Sequence, residues 1–544
     1  MKNWLDRGPL VAAALAFLVY LPSLAGGFLY DDMHVVVENR SIRDLRALGT
    51  VLRYEPSRPL LNLTWALSHA LGGLRPWPYH LVNVLLHAGN AALVAGLFLW
   101  MAARAGDPDP RRRTLVGACL FAVTPMAAET VAYVASRSTA LATLFALASL
   151  RLAAVDLVTP SLRRHRLALA LFVLALLSKE EAASLPLLLL LLDLFYVAGG
   201  ELRVLRQRWR SHAPFWALPL AGFVARRLVT GAWLPPPEVA PLRYLATQLG
   251  AFPLYFLRAL LPLDPAFYRG EAPAPWPPDA WTLVGAAGGL ALFGAAIAYR
   301  RRFPLWCFAA LWLAAGLLPS SSLVALKEMV VDHRAYLGGA GVLFAVAGLL
   351  LRVGHPAPIA AILLLFSALS VRYEWVLGDP VRAWQDAVRR APGSSEAHVG
   401  LAQSYWLRAD PRTEATFLRA LALDPANGRA WADLAVYYTE SGRLREAEAP
   451  MRRAVQAFPG NAQLRDNLGL ILVALGQEDE ALREFETAVD VAPFLAQPRI
   501  NLAELLIRRG EKERAAVQLR EAERLEVDRQ DAEAILRLRR QLQP

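Results

Sequence analysis

The sequence predicts an all-α protein in two parts: a polytopic transmembrane helical domain over residues 1–378 and a water-soluble α-solenoid over residues 379–544. Hydrophobic residues make up 56% of the 544 residues, more than a single soluble fold usually carries. Long apolar runs fill the first two thirds of the chain, and a regular spacing of Gly and Pro fills the last third. The two parts are therefore expected to fold in different solvents.

The first part contains about eleven runs that are apolar enough for membrane helices, which need roughly 20 residues each. These runs are 9–26, 80–102, 114–128, 138–154, 166–178, 182–198, 213–230, 281–299, 304–319, 336–352 and 356–372. Because ten further spans follow the first, we expect it to be a retained signal anchor rather than a cleaved signal peptide. The segment 243–262 is also apolar, and we expect a re-entrant or interfacial helix there.

The net charge of +11 is concentrated in short Arg-rich loops between the apolar runs. Such loops usually face the cytoplasm. Eleven spans place all of them inside, with the N-terminus in the cytoplasm and the solenoid in the periplasm or outside the cell. Abundant Ala, Leu and Arg suggest a bacterial source and hence its inner membrane. Nucleic acid is not an expected partner, because no basic stripe with interleaved aromatic residues lies on one face.

Two predicted external stretches are long for loops of a compact protein, and loops of this length are usually functional. Residues 27–78 are mixed in polarity, with short amphipathic helices expected near 42–54 and 59–71. Residues 263–279 are Pro-rich and show no periodicity. Both stretches are expected on the side of the membrane that carries the solenoid.

The last third of the chain repeats with a period of 34 residues. Glycine and proline both keep this spacing, at Gly442, Gly476, Gly510, Pro425, Pro459 and Pro493. Small residues such as Ala447 and Ala481 lie where paired helices would approach closely. The pattern resembles the tetratricopeptide repeat, a helix-turn-helix unit that stacks into a solenoid with a concave groove. We expect a lone helix, 382–390, before the first repeat and a polar cap, 531–542, after the last.

A pair of adjacent carboxylates, Asp31 and Asp32, follows the first span closely. Ionisable groups at a membrane are costly to bury and therefore mark functional sites. Two neighbouring carboxylates could supply a general base or hold a divalent cation, and their like charges raise the pKa of at least one of them. Taken alone, the pair is explained equally well as a cap of the next helix. Metal dependence therefore stays open.

Further polar residues recur at the predicted outer ends of the spans, on the same side as the Asp pair. They are Arg58, His80, Asn83, His87, Glu129, Arg137, Lys179, Glu180, Arg334 and Tyr336. His80, Asn83 and His87 share one helix face and could form the wall of a cleft. They are a poor zinc site, because the histidines lie two turns apart without a third strong ligand, and Cys119 and Cys307 lie within apolar runs. Salt bridges between helices would explain about half of these polar groups without any function.

These residues occur in one order within short motifs: Phe28-x-Tyr30-Asp31-Asp32, Arg58-Pro59-Leu60, Tyr79-His80-x-x-Asn83-x-x-x-His87, Pro125-x-x-x-Glu129 with Arg137, Ser178-Lys179-Glu180, and His333-Arg334-x-Tyr336-Leu337. The ordered series resembles the transmembrane and tetratricopeptide-repeat-containing O-mannosyltransferases and their bacterial relatives, within the GT-C class of glycosyltransferases. The resemblance extends over nearly the whole chain, including the repeats. The chain departs from the family pattern at Thr124 and over residues 332–336, which leaves the sugar open.

The resemblance implies a GT-C-like fold for residues 1–378, with residues 27–78 as an external catalytic loop. It also implies an inverting transfer of a sugar, mannose in this family, from a polyprenyl-phosphate donor to a Ser/Thr hydroxyl of an extracytoplasmic protein presented by the repeats. Asp31 is expected to act as the base, with Asp32 orienting the acceptor. Donor phosphate and lipid are expected to contact Arg334, Lys179, Arg58 and His80. Sugar or acceptor is expected to contact Asn83, His87, Glu129, Arg137, Glu180 and Tyr336.

Two other functions stay open from the sequence. The chain could be a non-enzymatic scaffold that anchors a repeat domain for envelope or secretion partners, or a transferase of the same class that modifies a lipid or a glycan. A scaffold has no reason to gather Asp31, Arg58, His80, Lys179 and Arg334 around one cavity. The geometry of these five side chains is therefore the discriminating observation.

Overall fold

The computed structural model describes residues 7–230, 239–270, 273–275, 277–321, 326, 329–525 and 529–542. Residues 271, 272 and 276 of the predicted external stretch lie outside the described residues. The described chain is helical and contains no strand, which confirms the predicted all-α class. It divides into two compact units, 1–387 and 388–544, nine residues beyond the predicted boundary at 378/379.

The described part of the first unit contains the following helices: α1 (Gly8–Tyr20), α2 (Leu48–Tyr54), α3 (Pro59–Gly72), α4 (Trp77–Arg104), α5 (Pro110–Val123), α6 (Ala128–Ala132), α7 (Arg137–Val158), α8 (Leu162–Leu176), α9 (Leu185–Tyr196), α10 (Leu202–Gln207), α11 (Trp209–Thr230), α12 (Pro241–Leu260), α13 (Ala280–Ala298), α14 (Pro304–Leu317), α15 (Tyr336–Arg352), α16 (Pro356–Leu377) and α17 (Pro380–Arg390), whose last three residues belong to the second unit. Proline opens many of these helices, where its fixed φ fits and its missing N–H leaves no bond unmade.

The breaks between these helices contain single helical turns that carry the polar motifs. A π-helical turn, Met33–Val37, follows the Asp pair directly. Turns of 3₁₀ helix lie at Pro125–Ala127, Val134–Ser136, Glu180–Ser184 and Asp332–Ala335. Broken helices leave backbone N–H and C=O groups free to bind side chains. The sequence thus places its polar residues where the backbone needs partners.

Each of the eleven predicted spans overlaps a helix. Among the described residues, six helices are long and apolar enough to cross a membrane: Gly8–Ala25, Trp77–Arg104, Val134–Val158, Ala280–Ala298, Asp332–Arg352 and Pro356–Leu377. The α5–α6 pair, bent by 47°, makes a seventh if it counts as one span. The chain is therefore a multi-pass membrane protein. A total of about eleven crossings stays a prediction, because α8, α9 and α14 have only 12 to 15 residues.

The segment 243–262, expected to be re-entrant or interfacial, forms most of the continuous helix α12. Its buried polar side chains bind the chain that leads into α15. Gln248 donates to the Met329 carbonyl at 2.7 Å, and the Tyr255 hydroxyl both donates to and accepts from the backbone of Val331. α12 therefore fixes the backbone immediately before the Asp332 turn. Its position relative to the bilayer stays a prediction.

The first and last spans of the membrane unit meet at the end where the polar motifs lie. The Gly27 N–H donates to the Gly378 carbonyl at 3.0 Å. Deeper in the bundle, the buried Tyr20 hydroxyl donates to the Thr124 carbonyl at 2.7 Å and lies 3.3 Å from the Ser370 hydroxyl. These contacts close the helical bundle at that end.

The described part of the second unit contains α18 (Ser395–Trp406), α19 (Thr413–Leu423), α20 (Gly428–Glu440), α21 (Leu444–Ala457), α22 (Ala462–Ala474), α23 (Glu478–Val491), α24 (Ala496–Arg508), α25 (Lys512–Glu523) and α26 (Arg529–Leu542). Helices pair in order, which confirms the predicted solenoid. The turn glycines Gly442, Gly476 and Gly510 have φ between +74° and +81°, which only glycine adopts without strain. A Cβ on Gly469 would lie 2.5 Å from the Phe485 ring, so paired helices require a small residue there.

The solenoid ends as the sequence predicts. α26 packs on α24 and α25 through its buried Ile535 and Leu538, while its other faces carry charged residues. Arg539 of this helix reaches Glu523 at 2.7 Å. The last helix is therefore a cap that covers the apolar end of the repeat stack.

Candidate active site

The Asp pair lies at a strained corner of the backbone. Tyr30, the residue before it, has φ +46°, a left-handed conformation that costs a non-glycine residue about 1–3 kcal/mol. The Asp31 side chain is exposed, whereas Asp32 is fully buried. Strain of this kind persists only where surrounding contacts enforce it, and it concentrates at functional sites. The corner thus separates an accessible carboxylate from a buried one.

Asp32 fastens this corner to the segment before α7. Its Oδ2 accepts a hydrogen bond from the Leu29 N–H at 2.9 Å, and its Oδ1 accepts one from the Ala135 N–H at 2.7 Å. Burial raises the pKa of Asp32 from 3.8 to about 7, and the charge of Asp31 makes a smaller contribution. The pKa is raised as expected for the pair, but burial rather than the neighbouring like charge is the main cause.

Tyr133 contacts Asp31 directly. Its hydroxyl accepts a hydrogen bond from the Asp31 N–H at 3.1 Å. Burial raises the pKa of Tyr133 well above 10, and the charges of Asp31 and Asp32 raise it further. The Tyr133 hydroxyl therefore stays protonated and can donate a hydrogen bond to an oxygen beside Asp31.

Arg58 and Lys179 both pair with acids of the turn after α8. The Arg58 guanidinium binds Glu180 through two hydrogen bonds, of 2.6 and 3.1 Å. Burial opposes the charge of each partner, but their attraction outweighs it: the pKa of Arg58 is raised and that of Glu180 is lowered. The Lys179 ammonium donates to the Thr139 hydroxyl at 2.9 Å and lies 3.0 Å from Glu181. The turn therefore holds two cations and two acids together.

A small, partly open cleft joins this turn to Arg334. It is lined by Thr139, Ala142, Thr143, Ala146, Glu181, Ala182, Ser184, Gly316, Arg334 and Leu337. Because Lys179 binds Thr139 and Glu181, both of which line the cleft, its ammonium lies beside it. The Arg334 guanidinium donates to the Tyr244 hydroxyl at 3.3 Å and to the Met329 carbonyl at 3.2 Å. Two of the cations predicted to bind a phosphate therefore share one cleft.

The residues before Arg334 connect this cleft to the loop after α12 and to α6. Asp332 accepts hydrogen bonds from the Ala266 N–H and from the Arg269 guanidinium, both at 3.0 Å. His333 Nδ1 lies 2.7 Å from Glu129 Oε1, and the backbone N–H of His333 donates to the same carboxylate at 3.2 Å. Glu129, predicted to contact sugar or acceptor, is thus paired with His333.

Arg137 and Asn83 make their hydrogen bonds inside the bundle. The fully buried Arg137 donates to Asn83 Oδ1 at 2.8 Å, to the Tyr79 carbonyl at 2.7 Å and to the Ser68 hydroxyl at 3.1 Å. The Asn83 amide donates in turn to two carbonyls of the chain after α6, those of Val131 and Tyr133. These two residues hold the backbone around the site in place and do not line the cleft.

The histidines of α4 are also buried. The loop between α1 and α2 that carries Asp31 and Asp32, residues 26–47, is called the Asp loop. His80 Nε2 lies 3.3 Å from the Gly27 carbonyl, so His80 supports the chain that enters this loop. His87 binds the Tyr336 hydroxyl at 2.6 Å through Nδ1 and the Ala122 carbonyl at 3.1 Å through Nε2. Both ring nitrogens of His87 are therefore occupied by protein groups. The predicted face of α4 is polar, but these residues bind neighbouring segments and not an open cavity.

The described residues include no group of three or more His, Cys, Asp or Glu side chains arranged to hold a metal ion. Asp32 already accepts two backbone hydrogen bonds, so a cation at the pair would bind Asp31 or displace one of these bonds. A divalent cation at Asp31 and Asp32 stays a prediction.

The predicted residues nevertheless lie at one end of the helical bundle. Hydrogen bonds and ion pairs connect the ends of the helices there: Asp32 with Ala135, His333 with Glu129, Arg58 with Glu180, and Lys179 with Thr139. Asp31 is exposed and Arg58 is half-buried, whereas Lys179 and Arg334 are buried beside the cleft. The buried support of this region consists of His80, Asn83, His87, Arg137 and Tyr336.

Sequence reasoning missed several residues around the Asp loop. Tyr133 follows a recognised motif, but its contact with Asp31 depends on the break before α7. Phe267 and Arg269 belong to the Pro-rich stretch, which stands out in the sequence only by its length and composition. Trp384, whose ring lies 5.3 Å from that of Tyr30, falls within the segment that the sequence predicts to belong to the repeats. A large aromatic residue directly after the last span was the available signal.

Comparison with known proteins places the chain near one group of membrane proteins. It is 38% identical over 155 residues to Protein O-mannosyl-transferase TMTC2 of Mus musculus, which covers 26% of this chain and 18% of that protein. It is 34% identical over 212 residues to Protein O-mannosyl-transferase Tmtc1 of Drosophila melanogaster, covering 35% and 23%. It is 30% identical over 161 residues to Protein O-mannosyl-transferase TMTC4 of Homo sapiens, covering 26% and 22%. The chain thus spans about a fifth of the length of these relatives, and the resemblance drawn from the motifs is confirmed.

Two tetratricopeptide-repeat family models match residues 416–449 and 462–494, which confirms the repeats. Among solved structures, the chain is similar to YrrB, described as a TPR protein with an unusual peptide-binding site, at 20% identity and a TM-score of 0.27 over 29% of this chain and 81% of that one. A crystal structure of MamA matches at 17% identity and a TM-score of 0.25, over 29% and 89%.

Proposed function

We propose that the protein is a membrane glycosyltransferase that moves a sugar, mannose in the first instance, from a polyprenyl-phosphate donor to a Ser/Thr hydroxyl of an extracytoplasmic protein. The observation that carries the proposal is the exposed Asp31 carboxylate at a strained corner, at the same end of the bundle as the cleft beside Lys179 and Arg334. The names of the relatives support the reaction class. Because the alignments span only about a fifth of those relatives, activity, donor and acceptor all belong to the proposal.

In the proposed reaction, the acceptor oxygen attacks the anomeric carbon of the sugar on the face opposite the phosphate. The hydroxyl proton passes to the Asp31 carboxylate. The bond between the anomeric carbon and the phosphate oxygen breaks, and its electron pair leaves with the lipid phosphate. A single displacement of this kind inverts the anomeric configuration. Tyr133, whose hydroxyl lies 3.1 Å from the Asp31 backbone nitrogen, would help to orient the acceptor oxygen.

The lipid phosphate carries the negative charge that develops in the reaction, so it requires cations close to the leaving oxygen. Arg334 and Lys179 would supply them from the cleft, with Arg58 beside them. Glu180 and Glu181 hold Arg58 and Lys179 in place before the donor enters. The lipid chain would stay in the bilayer while the phosphate lies at its surface.

The proposed topology has the N-terminus in the cytoplasm and the Asp loop, cleft and repeats on the opposite side, in the periplasm of a bacterium. The repeats would bind the protein acceptor in their concave groove. This arrangement is supported by the Arg-rich loops that alternate with the spans.

The test is transfer in vitro with purified full-length protein, a mannosyl or a glucosyl polyprenyl phosphate, and extracytoplasmic protein as acceptor, with and without a chelator. We expect transfer from the mannosyl donor. Loss of activity in the chelator would support a divalent cation at Asp31 and Asp32, and full activity in the chelator would contradict one. Transfer from neither donor to protein, lipid or glycan would leave the scaffold function. Transfer to a lipid or glycan alone would replace the protein acceptor.

A further inference from the structure

We propose that Trp384 and Phe267 form an aromatic clamp that holds Tyr30 in its left-handed conformation and thereby directs the Asp31 carboxylate. The inference deepens the proposed function and rests on it, because it assigns Trp384 and Phe267 as positioning residues for the proposed base. Neither residue belongs to the motif series, and Trp384 lies in the helix that connects the spans to the repeats.

The three rings contact one another in a triangle. The Tyr30 ring centroid lies 5.3 Å from that of Trp384 and 6.3 Å from that of Phe267, and the Trp384 and Phe267 centroids are 5.2 Å apart. All three pairs meet edge to face, the favoured geometry for aromatic rings. Trp384 is only 3% exposed. The Tyr30 side chain is thus held on two sides.

The clamp residues are themselves anchored. The loop that carries Phe267 is fixed by Asp332, which accepts from the Ala266 N–H and from Arg269 at 3.0 Å each. Trp384 lies in α17, which begins shortly after Gly378, and the Gly378 carbonyl accepts from the Gly27 N–H. Both sides of the clamp therefore connect to the ends of the spans that surround the site.

The contacts of Asp32 limit how the corner can relax. Asp32 binds the Leu29 N–H before the corner and the Ala135 N–H across from it, which fixes the backbone on either side of residues 30 and 31. A return of Tyr30 to negative φ would therefore be absorbed by the neighbouring Asp31, whose N–H would move relative to the Tyr133 hydroxyl. The cost of the left-handed conformation is similar in size to the stabilisation that one aromatic pair provides, so the loss of one ring lets the corner relax.

The first measurement is steady-state transfer by full-length Trp384→Leu, Phe267→Leu and Trp384→Phe proteins. We expect Trp384→Leu and Phe267→Leu to lower kcat by about tenfold or more, because a misplaced base loses far more rate than affinity. The donor KM should stay within about twofold. Trp384→Phe keeps a ring and should restore most of kcat. The matched control is Phe172→Leu, which removes a buried ring from the Phe172–Phe215 pair between α8 and α11 and should retain kcat.

The second measurement does not require activity. Asp31→Cys in the full-length chain offers an exposed thiol, while the native Cys119 and Cys307 are each only 6% exposed. We expect Trp384→Leu to change severalfold the rate at which a membrane-impermeant maleimide labels this thiol. The reason is that a larger fraction of molecules would then have the relaxed backbone at residues 30 and 31. The same reagent on Asp44→Cys, an exposed position of the same loop, should react at an unchanged rate.

Equal labelling of Asp31→Cys with and without Trp384→Leu would overturn the clamp, as would an undiminished kcat in both leucine variants. A kcat that Trp384→Phe does not restore, together with a changed rate at Asp44→Cys, would show general loosening and would also overturn it. If the wild type transfers no sugar but the Asp31→Cys rate changes as expected, the clamp stands and the proposed function fails.

Discussion

Charged residues have different environments in the two units. In the repeats, ion pairs such as Arg465 with Glu484, at 2.8 Å, lie partly exposed between helices. In the membrane unit, Asp32, Arg137 and Glu129 are at most 3% exposed. Partly solvated pairs add little stability, whereas a buried polar group without its partner costs several times more. The comparison teaches that Asp32, Arg137 and Glu129 depend on specific buried partners, whereas partly solvated pairs such as Arg465 with Glu484 can be exchanged at little cost.

The largest effect should come from Asp31→Asn, which removes the proposed base while the amide fits the same exposed position. We expect the transfer rate to fall by about 10²–10⁴-fold with unchanged expression and Tm. Asp44→Asn, an exposed aspartate of the same loop, is the control and should keep its rate. Near-normal turnover by Asp31→Asn would remove it as the base.

Arg334→Ala tests the cleft. The variant should mainly weaken use of the lipid donor, raising its KM by roughly tenfold or more, because a cation at the phosphate would be lost. The measurement is the donor dependence of the initial rate at saturating acceptor. An unchanged donor KM would clear Arg334 of a role at the phosphate.

Deletion of the repeats tests whether they present the acceptor. Removal of residues 391–544 keeps Trp384 and should lower transfer to protein about tenfold more than transfer to a short peptide, through the loss of local acceptor concentration. Removal of residues 380–544 also deletes Trp384 and should impair both acceptors. If the deletion of residues 391–544 lowers transfer to the protein and transfer to the peptide equally, the repeats do not present the acceptor.

The buried Asp32 predicts a pH dependence. Its pKa is raised to about 7, so the carboxylate that binds two backbone N–H groups is present above pH 7 and is lost as the pH falls. We expect kcat/KM to rise with pH to a plateau above about 7, and Asp32→Asn to lose this inflection along with much of the rate. In stability the sign is opposite. The unfolded chain releases this proton near pH 4 and the folded chain near pH 7. The contribution of Asp32 to the free energy of unfolding therefore decreases as the pH rises from about 4 to about 7.

The smallest expected effect is the change in the free energy of unfolding when an ion pair of the repeats is removed. Arg465→Gln should change the free energy of unfolding by about 0–1 kcal/mol, because the pair is partly solvated. Arg137→Met should cost on the order of 3 kcal/mol or more, because Asn83, Ser68 and the Tyr79 carbonyl would lose a buried donor. Thermal unfolding in detergent measures both. Similar losses in the two variants would break the comparison between the units.

The two units also differ in how well the sequence predicts them. The repeats follow from spacing, because Gly442, Gly476 and Gly510 each occupy a turn whose positive φ requires glycine. In the membrane unit, apolar runs predict where helices lie, and the motifs predict which residues meet at one end. They do not predict which carboxylate is buried. That depends on the Leu29 and Ala135 N–H groups, which are free only because the helices break there.

The polar face of α4 shows the same limit of sequence patterns. Spacing places His80, Asn83 and His87 on one face, but it does not tell whether that face meets a cavity or another segment. The Tyr336 hydroxyl, almost 250 positions later in the chain, occupies His87. Contacts at such separation in sequence leave no local pattern, so they become visible only in the folded bundle.

The meeting of Gly27 with Gly378 also has a consequence for biosynthesis. The first span leaves the ribosome long before the last, so the segment around Asp31 lacks its contact with Gly378 until some 350 further residues have been made. A nascent chain would therefore carry an immature corner until insertion of the final span is complete. Under the proposed function, sugar transfer would therefore begin only after the last span is in place.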